Sequence, residues 1–301
     1  MFSYLKVEKH IPVMSAEVLN YLDMKKNGIY LDCTLGSGGH LQIMLERCPE
    51  IKIIAFDQDQ EAIKRCQQNP FFASKKITFI NDNFVNFPHY LTELNISQAD
   101  GFLFDLGVSS EQLNDASRGF SYRQEAPLDM RMSTESTHST LTAQKIINNC
   151  SCQKLTEIFR EYGEEKKAKK IAWRICQVRK KEKITTTQQL VSIVVSCFSQ
   201  KSKKHPARRV FQALRIAVNQ ELINLSRGLE NALQKLKNDG RIVVISYHSL
   251  EDRIVKQIFK KYSELGYYQI LTKKPLTPAG EEIVINHRAR SAKMRVITRQ
   301  K

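Results

Sequence analysis

Apolar positions along this chain keep two different rhythms. In the first third, short apolar runs alternate with stretches of helical period. The runs are Ile29 to Leu31, Ile51 to Phe56, Ile77 to Ile80 and Ala99 to Phe104. Between them, Leu41 to Cys48, Gln60 to Gln68 and His89 to Leu94 carry apolar residues at three- and four-residue spacing. A short amphipathic stretch with Glu17, Val18, Leu19, Tyr21 and Leu22 precedes them. Strands that alternate with helices in this way predict a parallel sheet covered by helices on both faces.

The rhythm breaks after Asp105. Residues 107–133 are rich in Ser, Gly, Asn and Asp and have no clean period, which predicts a long ordered loop of the functional kind. From Thr142 to Phe198 the period is helical throughout. Ala143, Ile146 and Ile147 form one face, Leu155, Ile158 and Phe159 a second, and Ile171, Ile175 and Val178 a third. Leu190 to Phe198 reads as a helix capped by Thr187. Beyond Lys203-Lys204-His205-Pro206 the sheet rhythm resumes. It has a long helix over Val210 to Leu236, a strand over Arg241 to Ser246, a helix over Leu250 to Tyr262, and a closing antiparallel pair over Tyr268 to Leu271 and Arg295 to Thr298. The expectation is an α/β domain in two pieces, 1–112 and 205–301, interrupted by a long loop and an all-helical insertion over 113–204.

The strand ends carry the candidate chemistry. The first strand runs into Asp32, then a turn with Gly36, Gly38 and Gly39, then a helix. Glycines there let the backbone turn tightly and let a ligand approach its N–H groups. Asp57 ends the second strand, 21 residues after Gly36, where a carboxylate can accept both hydrogen bonds of a ribose diol. Asp59 suits the cap of the next helix better. Phe84 and Asp105 follow the third and fourth strands, so four elements deliver side chains to one rim. The loop lacks the third glycine of a dinucleotide fingerprint, and Asp32 is a poor neighbour for pyrophosphate. A ligand with an ammonium, a sulfonium and a ribose fits better, which makes S-adenosyl-L-methionine the expected cofactor.

Charge adds a second partner. The net charge is +16, but it is concentrated. Residues 160–209 hold 15 Lys and Arg against 4 acids, and residues 286–301 hold 6 basic residues and no acid, leaving the remainder close to neutral. Localised positive charge on a neutral body points to nucleic acid. Seven cysteines, odd in number and without a Cys-x-x-Cys pair, argue for reduced thiols rather than disulfides or zinc, so no metal is expected. Lys6, Glu8, Lys9 and His10 interrupt any leader-like apolar run, and no apolar stretch approaches the ~20 residues of a membrane span, so a cytoplasmic protein without membrane contact is expected.

Taken together, the motifs resemble the ribosomal small-subunit RNA cytosine-N(4)-methyltransferases, the MraW or RsmH family. The resemblance rests on Asp32-x-Thr34-x-Gly36-x-Gly38-Gly39-His40, on His10-Ile11-Pro12-Val13-Met14 and on Asp105-Leu106-Gly107-Val108-Ser109-Ser110-x-Gln112-Leu113. It continues through Arg118-Gly119-Phe120-Ser121-Tyr122, Pro127-Leu128-Asp129-Met130-Arg131-Met132, Tyr162-Gly163-Glu164-Glu165 and His205-Pro206-Ala207-Arg208-Arg209, and on to Ser246-Tyr247-His248-Ser249-Leu250-Glu251-Asp252-Arg253 and Arg288-Ala289-Arg290-Ser291. Tyr247 stands where the family commonly has Phe, and His287 where it usually has Pro.

The resemblance implies a Rossmann-like S-adenosylmethionine-dependent methyltransferase domain with a helical insertion. It puts Gly38, Gly39 and His40 at the methionine end of the cofactor, Asp57 at the ribose, Phe84 at the adenine, and Asp105 and Gln112 near the methyl group. The implied substrate is a cytidine of 16S rRNA in the decoding region of the small ribosomal subunit, with a homodimer as one option for the assembly. Asp105 is the candidate acceptor for the amine, and His248 a second candidate proton acceptor or RNA contact. Phe120 and Tyr122 are candidates for stacking on a splayed base, and Arg208, Arg209, Arg288 and Arg290 for phosphate contacts. Two other readings stay open: a methyltransferase for DNA amines, against which the missing Pro-Pro motif argues, and an RNA-binding assembly factor without catalysis.

Overall fold

In the computed structural model, the described residues are 11–133, 140–199 and 204–301. Lys6, Glu8, Lys9, His10 and Lys203 fall outside them. The chain divides into two compact units, one of residues 1–107 and 225–301 and one of residues 108–224.

The first unit is built on a seven-stranded sheet. Its first half runs α1 (Ser15–Leu22), β1 (Ile29–Asp32), α2 (Gly39–Arg47), β2 (Lys52–Asp57), α3 (Gln60–Gln68), β3 (Ile77–Asn81), α4 (Phe87–Glu93) and β4 (Ala99–Asp105). The strand order is β3-β2-β1-β4, followed by strands from the second half of the chain, and every pair in this part is parallel. The strands read as near-continuous apolar runs because both faces are covered. Leu31, Phe56, Phe102 and Phe104 face one core, while Tyr30, Ile53, Ala55 and Leu103 face the other. Asp59 caps α3, its side chain accepting from the N–H of Glu61, as its spacing predicts.

The second unit is helical. It contains α5 (Ser110–Asn114), α6 (Ala143–Asn149), α7 (Cys152–Glu161), α8 (Ala168–Val178), α9 (Thr187–Val195) and α10 (Arg208–Asn219). The three predicted faces of α6, α7 and α8 supply its core, although Val178 is only partly buried. Three details differ from the sequence expectation. The stretch after Gly107 is not without structure, since Ser109 and Gln112 close a capping box on α5. The cap of α9 is Thr186, not Thr187, with Gln189 returning the bond. The helix expected over 210–236 breaks at Gln220, whose φ of 51° is left-handed. α10 ends there, and its Val210, Phe211, Ala213 and Leu214 belong to the helical core. The helical unit therefore spans 108–224 where the sequence reading has 113–204.

α11 (Glu221–Lys235) leads back into the sheet unit, followed by β5 (Leu236–Ser246), α12 (Ser249–Ser263), β6 (Tyr268–Ile270), α13 (Gly280–Ile285) and β7 (Lys293–Arg299). β5 lies parallel to β4, β7 antiparallel to β5, and β6 antiparallel to β7, so the closing pair is antiparallel as expected. This is a Rossmann-like doubly wound sheet whose order reverses between β1 and β4. Ligands in such sheets bind beyond the carboxyl ends of the strands at that reversal. No helix among the described residues is long and apolar enough to cross a membrane.

Candidate functional site

The loop from β1 to α2 is shaped by glycine. Gly36 and Gly38 have φ of 53° and 79°, in the left-handed region that side chains disfavour. A Cβ on Gly38 would lie 2.9 Å from Cys66 Sγ. Gly38 is also the N-terminal cap of α2, and no side chain caps that helix, so its first N–H groups face outward as donors. Asp57 ties this loop to β2. Its Oδ2 accepts from the N–H of Gly36 at 2.7 Å and its Oδ1 from the N–H of Asp59 at 2.8 Å. Burial nonetheless pushes its carboxyl up to about 6, these N–H groups opposing the rise.

Asp32 is the most buried acid of the rim, at 1% exposure. Oδ1 accepts from the N–H of Thr34 at 3.2 Å, whereas Oδ2 is buried without a hydrogen-bond partner. Burial raises its carboxyl to about 6. His40 and the Thr34 N–H oppose that rise, while Asp105 and Asp57 add to it. His40 is 6% exposed, with Nε2 3.3 Å from Asp105 Oδ2, and neither ring nitrogen makes a well-formed hydrogen bond. Two buried polar groups without partners, side by side at the reversal of the sheet, are costly unless something binds them.

Asp105 is held from several sides. Its N–H donates to Thr34 Oγ1 at 2.7 Å, and its Oδ1 accepts from the Tyr247 hydroxyl at 2.7 Å. Burial, and then Asp105, push the Tyr247 hydroxyl well above its ordinary value, so it stays a donor. Thr34 and Tyr247 are the residues that sequence reasoning missed. The Asp-x-Thr spacing after β1 was a usable signal for the first. The second shows only as a departure from the family's Phe, and its hydroxyl reaches an acid 142 residues away.

The remaining predicted residues are placed less directly. Phe84 is 8% exposed, edge-on to Phe104 at 5.4 Å. Gly228 on α11 makes room for it, since a Cβ there would sit 2.6 Å from the Phe84 ring. Phe84 is therefore largely a packing residue of the sheet core. Gln112 lies in the helical unit, where its Oε1 accepts from the Ser109 N–H. Gly39 packs against Pro12, 3.3 Å from where its Cβ would stand. His248 caps α12: its Nδ1 accepts from the Glu251 N–H at 3.4 Å, and its Nε2 lies 3.1 Å from Glu251 Oε1. Phe120 is buried in the helical core, and Tyr122 stacks on His205 at 4.7 Å, so both rings anchor their loop. Arg208, Arg209, Arg288 and Arg290 are exposed.

The reversed sheet, the glycine loop and the buried acids define a Rossmann-like domain with an acidic rim at the reversal of the sheet. The model of the MraW methylase family matches residues 7–300. The chain is 46% identical over 286 residues to the ribosomal RNA small subunit methyltransferase H of Endomicrobium trichonymphae, covering 95% of this chain and 97% of that one. Among solved structures it is similar to a putative rRNA-methylase from Clostridium thermocellum, with TM-score 0.46, 10% identity, and 95% and 94% of the two chains covered. It is also similar to a putative methyltransferase from Streptococcus mutans in complex with SAH, with TM-score 0.45, 12% identity, and 94% and 96% covered. The chain belongs to the MraW methylase family.

Proposed function

We propose that this protein transfers a methyl group from S-adenosyl-L-methionine to the exocyclic N(4) amine of a cytidine in the decoding region of 16S rRNA, by direct in-line displacement in the cytoplasm. The observation that carries the reading is the pair of buried, unpartnered polar groups, Asp32 Oδ2 and His40, beside the glycine loop of a chain in this family. The fit to the donor is chemical. S-adenosylmethionine presents an ammonium, a carboxylate, a ribose diol and a sulfonium whose methyl it supplies to a nucleophile. Asp32 suits the ammonium, the outward N–H groups around Gly38 and Gly39 suit the carboxylate, and Asp57 keeps lone pairs free for the diol. Phe84 is assigned to the adenine by the family resemblance.

Cytosine's amine is conjugated and weakly nucleophilic, so the protein's task is to align it and hold its hydrogens. Asp105 is the acceptor in this reading. The Tyr247 hydroxyl holds its carboxylate, and the Thr34 hydroxyl accepts from its main-chain N–H and holds the strand end. Gln112 is assigned to the same end of the donor by the family resemblance. His248 acts on the fold through α12.

The test uses unmethylated small subunits and S-adenosylmethionine with a labelled methyl group, followed by nuclease digestion and mass spectrometry. Label on N(4) of one cytidine in the decoding region is the expected result. Label on uracil, adenine or protein refutes the reading.

A further inference from the structure

The chain has a single tryptophan, Trp173, and α8 turns it outward at 55% exposure. The helix is strongly two-sided. Ala168, Ile171, Ala172 and Ile175 are buried in the core of the helical unit, and Trp173 stands on the opposite face. Residues at three- and four-residue spacing are neighbours on a helix surface, and long side chains lean toward the N-terminus. Trp173 therefore leans over Lys170 and Lys169, with Arg174 beside it and Lys166 just before the helix. All four cations are exposed, and among the described residues none of them pairs with an acid. The indole makes no ring contact among the described residues.

A large exposed ring ringed by unpaired cations is out of place on an inert face. Lysines elsewhere in the chain do find acids, as Lys154 does with Glu157 on α7. The indole supplies a flat apolar face, and the cations supply charge on either side. A nucleobase flanked by phosphates matches both features at once. A duplex hides its base faces, so the ligand must be single-stranded.

From this arrangement we infer that the outward face of α8 is a single-stranded RNA platform, on which Trp173 stacks against a base while Lys166, Lys169, Lys170 and Arg174 meet the adjoining phosphates. It rests on the rRNA reading only for the choice of RNA as polyanion. The face belongs to the helical unit.

The single tryptophan makes the test direct, because intrinsic indole emission reports this position alone. The full-length protein is titrated with an unlabelled single-stranded RNA oligonucleotide, and binding is measured in parallel by filter retention. Stacking predicts quenched emission whose midpoint coincides with the binding midpoint, and weaker quenching by a duplex of equal length. Trp173→Ala should weaken single-strand binding by roughly five- to a hundred-fold with an unchanged circular dichroism spectrum, and Trp173→Phe should retain most of the affinity. Lys169→Glu with Lys170→Glu should lower the slope of log affinity against log salt by about 1.4. The inference is overturned if RNA saturates the protein without changing its emission, if Trp173→Ala binds as wild type, or if polyglutamate quenches as well as RNA. Methyl transfer is scored separately, so wild-type protein that quenches on RNA but leaves cytidine unmethylated sinks the proposed function and leaves this platform standing.

Discussion

Asp32→Asn separates the cost of the candidate site from its use. Burial raises the Asp32 carboxyl from 3.8 to about 6, which corresponds to about 3 kcal/mol against the charged form. The sign follows from proton linkage. Between pH 3.8 and about 6 the unfolded chain has lost this proton while the folded chain still holds it. Stability therefore falls as pH rises through that window, and the full cost is present above it. The asparagine has no such proton. Its amide would keep the bond from the Thr34 N–H, but its NH2 would occupy the unpartnered position of Oδ2, at a pH-independent cost of about 1–3 kcal/mol.

The expected signature is thus a change with pH rather than a fixed offset. Relative to wild type, Asp32→Asn should gain about 3 kcal/mol between pH 3.5 and pH 7. Asp57, also raised to about 6, titrates in both proteins, and its charge is the smallest of the causes acting on Asp32. The assay is urea denaturation across that range by far-ultraviolet circular dichroism, with Trp173 emission reporting the helical unit separately. Saturating S-adenosylmethionine should then stabilise wild type more than the variant, since the donor's ammonium replaces the missing partner of Asp32. Parallel stability curves for the two proteins would refute the claim that Asp32 is held strained, and equal donor stabilisation would remove it from the site.

Three further outcomes follow from single contacts. Gly38→Ala forces a left-handed residue and brings Cβ within 2.9 Å of Cys66 Sγ, so it should lose about 1–2 kcal/mol of stability and weaken donor binding in calorimetry. Unchanged values in both measurements would free the loop of its glycine requirement. His248→Ala should cost about 1 kcal/mol through the lost cap of α12, while His248→Asn, which can cap, should stay near wild type in stability and within a few-fold in turnover. Loss of turnover in the asparagine variant alone would return His248 to the chemistry. Tyr247→Phe removes the hydroxyl that donates to Asp105 and should lose about 1.5–3 kcal/mol in urea denaturation. An unmoved midpoint would mean that bond does not hold Asp105.

What the sequence made legible was everything that repeats or ends locally. Apolar runs that stop in an acid located β1, β2 and β4, and helical period gave the buried faces of α6, α7 and α8. What stayed hidden depended on contacts between distant residues or on backbone without a sequence mark. Gln220 turns left-handed without being glycine, so nothing announced the end of α10. Thr186 and Thr187 are equally good caps by type, and only the reach of Gln189 decides between them. Tyr122 looked available for stacking because its partner, His205, lies far along the chain. Periodicity says that a side chain is inside; it does not say against what.

The acids at the strand ends were legible one by one, but the net charge of +16 gives no sign of them. Whole-chain charge adds groups that never meet. The positive excess lies largely on exposed side chains in 160–209, where salt screens interactions beyond roughly 10 Å. Asp32 is buried, where screening is weak, so burial first and then the groups beside it, His40, the Thr34 N–H, Asp105 and Asp57, set its titration. A chain that must bind both a cationic donor and a polyanion has opposite electrostatic requirements. Burying one set of charges and exposing the other lets both be met without compensation in the total.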